Sequence, residues 1–138
     1  MEFISNSTEE TLKFAENFAT QLKGGEIITL NGDLGAGKTV FSKGIAKGLG
    51  VKETVVSPTF TIMCQYLSGR LELYHFDMYR LSSGLEAEEF GFSEYILNPK
   101  SVSLIEWSEN VKNILPKNLI KVTIEKISET SRKIKVEK

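Results

Sequence analysis

Cysteine occurs once in this chain, at Cys64, and histidine once, at His75; arginine is confined to Arg70, Arg80 and Arg132. A lone cysteine excludes an intramolecular disulfide, and its apolar setting reads as a core thiol rather than a nucleophile. No apolar run approaches the length of a membrane span. The start of the chain lacks the basic and apolar stretches of a signal peptide, so the sequence predicts a cytoplasmic protein with no membrane contact. Charge of one sign is also missing: 17 Lys+Arg face 18 Asp+Glu, for a net charge of −1. That balance gives no basis for a broad electrostatic footprint on nucleic acid. Lys43, Lys47 and Lys52, the nearest approach to a basic patch, read as a solvated helix face. Repeats, linkers and low-complexity tracts are absent, and 138 residues are about one domain's length. The sequence predicts a single α/β domain over residues 1–138.

What is present centres on Gly32-Asp33-Leu34-Gly35-Ala36-Gly37-Lys38-Thr39, which fits G-x-x-x-x-G-K-[ST], the phosphate-binding P-loop. The flanks agree with it. Glu26 to Asn31 reads as a short β-branched strand, and Phe41, Gly44, Ile45, Gly48 and Leu49 form a helical stripe of apolar and small residues. Strand, glycine loop and helix is the context the motif needs. Backbone N–H groups from Asp33, Leu34, Gly35, Ala36 and Gly37 can turn inward around a phosphate, and the helix N-terminus adds its positive dipole end. Lys38 would meet the β- and γ-phosphates, and the Thr39 hydroxyl would ligate Mg²⁺. The chain is read as a nucleotide binder.

In chain order, Glu2 to Ser5 reads as a short edge strand. Ser7-Thr8-Glu9-Glu10 has the form of a capping box, ahead of an apolar helical face from Leu12 to Leu22 that Gly24-Gly25 stops. After the P-loop unit, Pro58 keeps Val55 to Thr61 extended. A hairpin follows, with arms Thr61 to Tyr66 and Arg70 to Phe76. Ser82 to Asn98 suggests one or two short helices, and Val102 to Ile105 a buried strand. A short helix covers Ser108 to Ile114, stopped by Pro116, and Leu119 to Ile127 with Lys133 to Val136 form a closing hairpin.

A P-loop requires a carboxylate near its metal, at the end of a strand beside the P-loop strand. Asp77, after Leu73-Tyr74-His75-Phe76, and Glu106, after Val102-Ser103-Leu104-Ile105, both close strands, and both are expected to face the site. Ser57, Thr59 and Thr61 offer hydroxyls where a γ-phosphate-sensing switch would lie. His75 lies two residues from Asp77, on the same side of the pleat, and reads as a hydrogen-bonded structural histidine. Trp107 packs over the site or fills the core. No N-K-x-D motif is present, which favours ATP over GTP. No arginine-bearing lid of the kind that small-molecule kinases use is evident either.

Gly-Asp-Leu-Gly-Ala-Gly-Lys-Thr at 32–39, Ser-Pro-Thr-Phe-Thr at 57–61, His-Phe-Asp-Met-Tyr-Arg at 75–80 and Glu-Trp at 106–107 together resemble the TsaE (YjeE) family. These are bacterial P-loop ATPases of tRNA threonylcarbamoyladenosine synthesis. The resemblance runs over nearly the whole chain. It implies a compact mixed β-sheet flanked by helices, ATP and Mg²⁺ as cofactors, and a TsaB–TsaD heterodimer as partner, with tRNA met only through that complex. It further implies that Asp77 is the Walker B-like residue, that Glu106 lies at the metal, and that Thr8 and Arg132 flank the nucleotide. Two other readings stand beside it: a small-molecule kinase, and a nucleotide-dependent binding module that needs no hydrolysis.

Lys38→Ala is expected to abolish turnover and weaken ATP affinity in a protein that remains folded. Nucleotide binding and hydrolysis by the variant measure this, and native turnover would remove the P-loop reading.

Overall fold

The computed structural model describes residues 1–58 and 61–138; Thr59, predicted above as a nucleotide-facing hydroxyl, lies outside the described residues. In chain order the elements are β1 (Glu2–Ser5), α1 (Thr8–Thr20), β2 (Ile27–Asn31), α2 (Lys38–Gly48), β3 (Met63–Tyr66), β4 (Glu72–Asp77), α3 (Gly84–Glu89), α4 (Phe92–Ile96), β5 (Ser101–Glu106), a 3₁₀ segment (Ser108–Ile114), β6 (Ile120–Lys126) and β7 (Arg132–Glu137). The strands form one seven-stranded sheet in the order β1-β7-β6-β2-β5-β4-β3. β2 pairs parallel with both β5 and β6, and β5 pairs parallel with β4. The antiparallel pairs lie outside them, at β3–β4, β6–β7 and β1–β7. This is the mixed sheet of a P-loop NTPase-like α/β fold.

The sequence accounts for the layering. β5 is buried at every residue, and β2 and β4 at all but one. Such runs suit parallel strands with both faces covered. On one face Leu30, Leu73 and Leu104 pack with Ala15 and Phe18 of α1 and Phe41 and Ile45 of α2. On the other, Phe76 and Ile105 pack with Phe92 and Ile96 of α4 and with Met78 and Val111. α1 begins where the capping signal predicts: Ser7 accepts from the Glu10 N–H at 3.1 Å, and Glu10 Oε1 accepts from the Asn6 N–H at 2.9 Å.

Two expectations change in detail. The hairpin arms start at Met63 and Glu72 rather than Thr61 and Arg70; Arg70 is drawn toward the helix ends, its backbone N–H donating to the Leu49 carbonyl and its guanidinium to the carbonyls of Leu22 and Ala19. The predicted helix over 108–114 is a 3₁₀ segment in which Val111 leaves helical geometry at φ −127°, ψ 20°. Val111 is β-branched and fully buried, and its seat in the second core outweighs the helix ladder.

α1 and α2 lie so close that glycine is required where they cross. A Cβ on Gly48 would stand 2.4 Å from the Glu16 carbonyl oxygen and 2.6 Å from Ala19 Cβ; on Gly44 it would stand 2.5 Å from Ala15 Cβ. Gly48→Ala gains about 1 kcal/mol of helix propensity but meets a backbone atom that cannot rotate away, and overpacking of this kind costs about 1–3 kcal/mol. The clash is expected to prevail, lowering Tm in thermal unfolding. A raised Tm would show that the two helices separate freely.

Candidate nucleotide-binding site

β2 delivers the chain to the P-loop, which turns through an Ala36 N–H to Asp33 carbonyl bond of 3.0 Å. Gly35 and Gly37 take φ of 82° and 106°, a left-handed backbone that a side chain would strain. Gly37 caps α2 without any side-chain hydrogen bond, so the first-turn amides of α2 are left for a ligand. Ala36 is buried, Asp33 and Leu34 are exposed, and Thr39 stands exposed in the first turn of α2.

Arg132, from the first residue of β7, braces this loop. Its Nε donates to the Ala36 carbonyl at 2.9 Å and one terminal nitrogen donates to the Gly35 carbonyl at 3.3 Å. The other terminal nitrogen donates to the carbonyls of Ser128 and Ser131 at 2.8 and 3.0 Å. The guanidinium thus ties the P-loop's outer carbonyls to the β6–β7 turn. Arg132 and Thr8 line one cavity of about 320 Å³ together with Gly37, Val40, Thr11 and Glu129. A larger cavity of about 810 Å³ opens on the other side of the loop, between Asp33, Leu34, Lys38, Trp107, Glu109 and Thr123.

The two competing acids end up side by side. Asp77 and Glu106 are register partners on β4 and β5, and Glu106 is in turn the partner of Leu30 on β2. Glu106 therefore stands on the strand next to the P-loop strand, and Asp77 one strand further out. Asp77 is buried, and its Oδ1 accepts the Tyr79 N–H at 3.0 Å. Glu106 is buried with Oε1 3.6 Å from Lys38 Nζ and Oε2 2.7 Å from His75 Nε2. Burial pushes the Glu106 carboxyl up, but the His75 hydrogen bond, the charge on His75 and the Lys38 ammonium together hold it below the usual glutamate range.

Trp107 follows at φ 56°, ψ 43°, a strained conformation for a bulky residue. That turn sets the indole beside Tyr79, with ring centroids 4.9 Å apart, and near Lys38, whose Nζ lies 5.9 Å from the ring centroid. Trp107 thus packs over the site, and at 42% exposure it does not fill the core. On the remaining side, the Pro58 carbonyl accepts the N–H groups of Thr61 and Ile62, and the Ile62 carbonyl accepts the Asp77 N–H at 2.7 Å. Pro58 is thereby tied to the Asp77 strand end, through an Ile62 held at φ 67°.

Among the described residues no cluster of three or more His, Cys, Asp or Glu side chains is arranged to hold a metal alone. The donors present fit Mg²⁺ well, since that ion keeps several waters and takes one or two carboxylates plus substrate phosphates. Thr39, Asp77 and Glu106 would supply the protein's share. Sequence reasoning brought the P-loop and both acids together but missed two contacts: Arg132 to the P-loop carbonyls, and His75 to Glu106. The first carries no local signal. The second was signalled only by the shared face of His75 and Asp77.

The sign of the Glu106 shift gives a stability test. A carboxyl whose folded-state pKa is depressed stabilises the fold above its unfolded value, and that contribution is lost as pH falls through the folded value. Glu106→Gln cannot titrate. The stability gap between native protein and variant is therefore expected to narrow as pH drops from neutral to below the ordinary glutamate range. Denaturant unfolding at a series of pH values measures it; a gap constant over that window would place Glu106 in an ordinary environment.

The family described as "Threonylcarbamoyl adenosine biosynthesis protein TsaE" matches residues 5–134. The tRNA threonylcarbamoyladenosine biosynthesis protein TsaE of Bacillus subtilis is 43% identical over 126 residues, covering 91% of this chain and 78% of that protein. Its counterpart in Rickettsia felis is 45% identical over 130 residues, covering 94% and 75%. The crystal structure of Bacillus subtilis YdiB superposes with a TM-score of 0.85 at 36% identity, covering 99% of this chain and 83% of that one. No helix among the described residues is long and apolar enough to cross a membrane. With the match running over most of its length, the chain belongs to the TsaE family.

Proposed function

We propose that the chain is the ATP-hydrolysing subunit of the machinery that places threonylcarbamoyladenosine on tRNA, working with a TsaB–TsaD heterodimer in the cytoplasm. The observation that carries this reading is the convergence of Lys38, Thr39, Asp77 and Glu106 on an amide-lined helix start, within a chain of the TsaE family. The triphosphate lies in the loop of residues 33–39. Its base takes the cavity between Thr8, Val40 and Arg132. Lys38 leaves Glu106 for the β- and γ-phosphates, and Arg132 keeps the loop carbonyls turned outward so that the amides face in. Bound Mg²⁺ supplies charge neutralisation at the phosphates. Asp77 and Glu106 are the carboxylates that would hold that ion and could orient the attacking water.

Hydrolysis also needs positive charge on the γ-phosphate beyond Lys38. An arginine finger adds about 10³–10⁵ to such a rate. Arg70 and Arg132 are both committed to backbone carbonyls, and neither forms a lid of the kind the kinase reading requires. The cavity beside Lys38 and Trp107 leaves room for a group from the partner.

The lone chain is accordingly expected to be a poor ATPase whose rate rises as TsaB–TsaD is titrated in. Steady-state hydrolysis with and without the heterodimer measures this. A fast rate unchanged by the heterodimer would show that the site is complete by itself. Phosphoryl transfer to a metabolite would favour the kinase, and nucleotide-dependent complex formation without cleavage would favour the binding module.

A further inference from the structure

His75 is buried at 2% exposure on β4, in an apolar setting shared with Leu73 and Leu104, both fully buried. Its Nε2 meets Glu106 Oε2 at 2.7 Å, and among the described residues its Nδ1 has no hydrogen-bond partner. A histidine kept only for packing would carry a standing penalty there. A buried polar atom left without a hydrogen bond is destabilising, and leucine would fill the space without it. Among the described residues the one hydrogen bond of the imidazole goes to Glu106, and the reason for a histidine at this position lies there.

Glu106 needs that contact. It is a buried carboxylate with two close side-chain neighbours: the Lys38 ammonium 3.6 Å from Oε1 and the His75 imidazole 2.7 Å from Oε2. Lys38 sits at the start of α2 and is the group that turns to a bound phosphate. Once it does, His75 is the remaining side-chain donor to Glu106 among the described residues. An ionised carboxylate only accepts hydrogen bonds, so the contact requires a hydrogen on Nε2.

We propose that His75 is the positioning residue of the site: its Nε2–H pins Oε2 of Glu106 and so presents Oε1 to the metal and phosphate side when Lys38 departs. This rests on the nucleotide-site reading above. Partners of this kind, one bond removed from a ligating group, change metal affinity or activity by about 10–100-fold when lost.

The test compares His75→Leu, which fills the space without a donor, with His75→Gln, whose amide can still donate. The Mg²⁺ dependence of binding a non-hydrolysable ATP analogue is measured at equilibrium, together with kcat and KM in the presence of TsaB–TsaD. His75→Leu is expected to raise the Mg²⁺ concentration required by about 10–100-fold. It should leave analogue binding in EDTA unchanged and lower kcat more than it alters KM. His75→Gln should recover much of both. Equal behaviour of the two variants, or a Mg²⁺ dependence that neither alters, would overturn the proposal. Nitrogen-15 NMR of the native protein gives a readout independent of any variant: a hydrogen on Nε2 is expected, and its absence would overturn the proposal even where His75→Leu fails to fold. Native protein that binds the analogue with no Mg²⁺ dependence would instead defeat the functional reading, leaving the NMR result to judge the Nε2–H contact by itself.

Discussion

The parallel pairing of β5 with both β2 and β4 is the constraint on which the rest of the site depends. Parallel neighbours run in the same direction, so the C-terminal ends of three strands arrive together, and whatever closes each strand shares one edge of the sheet. β2 closes into the P-loop, β5 closes on Glu106, and β4 closes on Asp77. Slipping β5 by one residue would turn Glu106 to the opposite face, where Phe76, Phe92 and Ile105 exclude a charge. The apolar cores on both faces therefore hold the register, and the register holds the carboxylates.

The same logic explains the packing of α2 on α1. The P-loop fixes where α2 begins, and the sheet fixes its direction, so α1 must adapt to it. Ala15 and Ala19 on α1 and Gly44 and Gly48 on α2 bring the two backbones close enough to bury Phe18, Phe41 and Ile45 between them and the sheet. The N-terminus of α1 is then set beside the P-loop, where Thr8 meets the same cavity as Gly37 and Arg132. Core packing and the nucleotide face are consequences of one helix position.

Much of this was legible in the sequence, because most of it is local. The P-loop, the Ser7 cap, the β6–β7 turn and the edge position of β1 each follow from a few consecutive residues. The long-range terms were not. Nothing near Arg132 says that its guanidinium will reach carbonyls 96 and 97 residues away. Nothing near His75 says that Glu106, 31 residues on, will be its partner. Both depend on strand register: the His75 contact on how β4 lies against β5, and the Arg132 contact on how β6 and β7 lie against β2. The competition between Asp77 and Glu106 for the place beside β2 had the same origin: strand order is a property of the whole sheet.

The resting pair of Lys38 and Glu106 carries the argument one step further. Two unit charges at about 4 Å attract by roughly 4 kcal/mol at an effective dielectric of 20, and desolvation of both side chains offsets much of that. At 3.6 Å, with side-chain exposures of 17% and 12%, the pair gives each of two largely buried charges an opposite partner. A triphosphate carries several negative charges and also meets the amides of the loop, so it can draw Lys38 away from a single carboxylate. Under the proposed function, Glu106 would lose that cation as a metal brought with the phosphates became available to it. The orientation of the carboxylate across that exchange would fall to a contact that does not involve Lys38, the bond from His75.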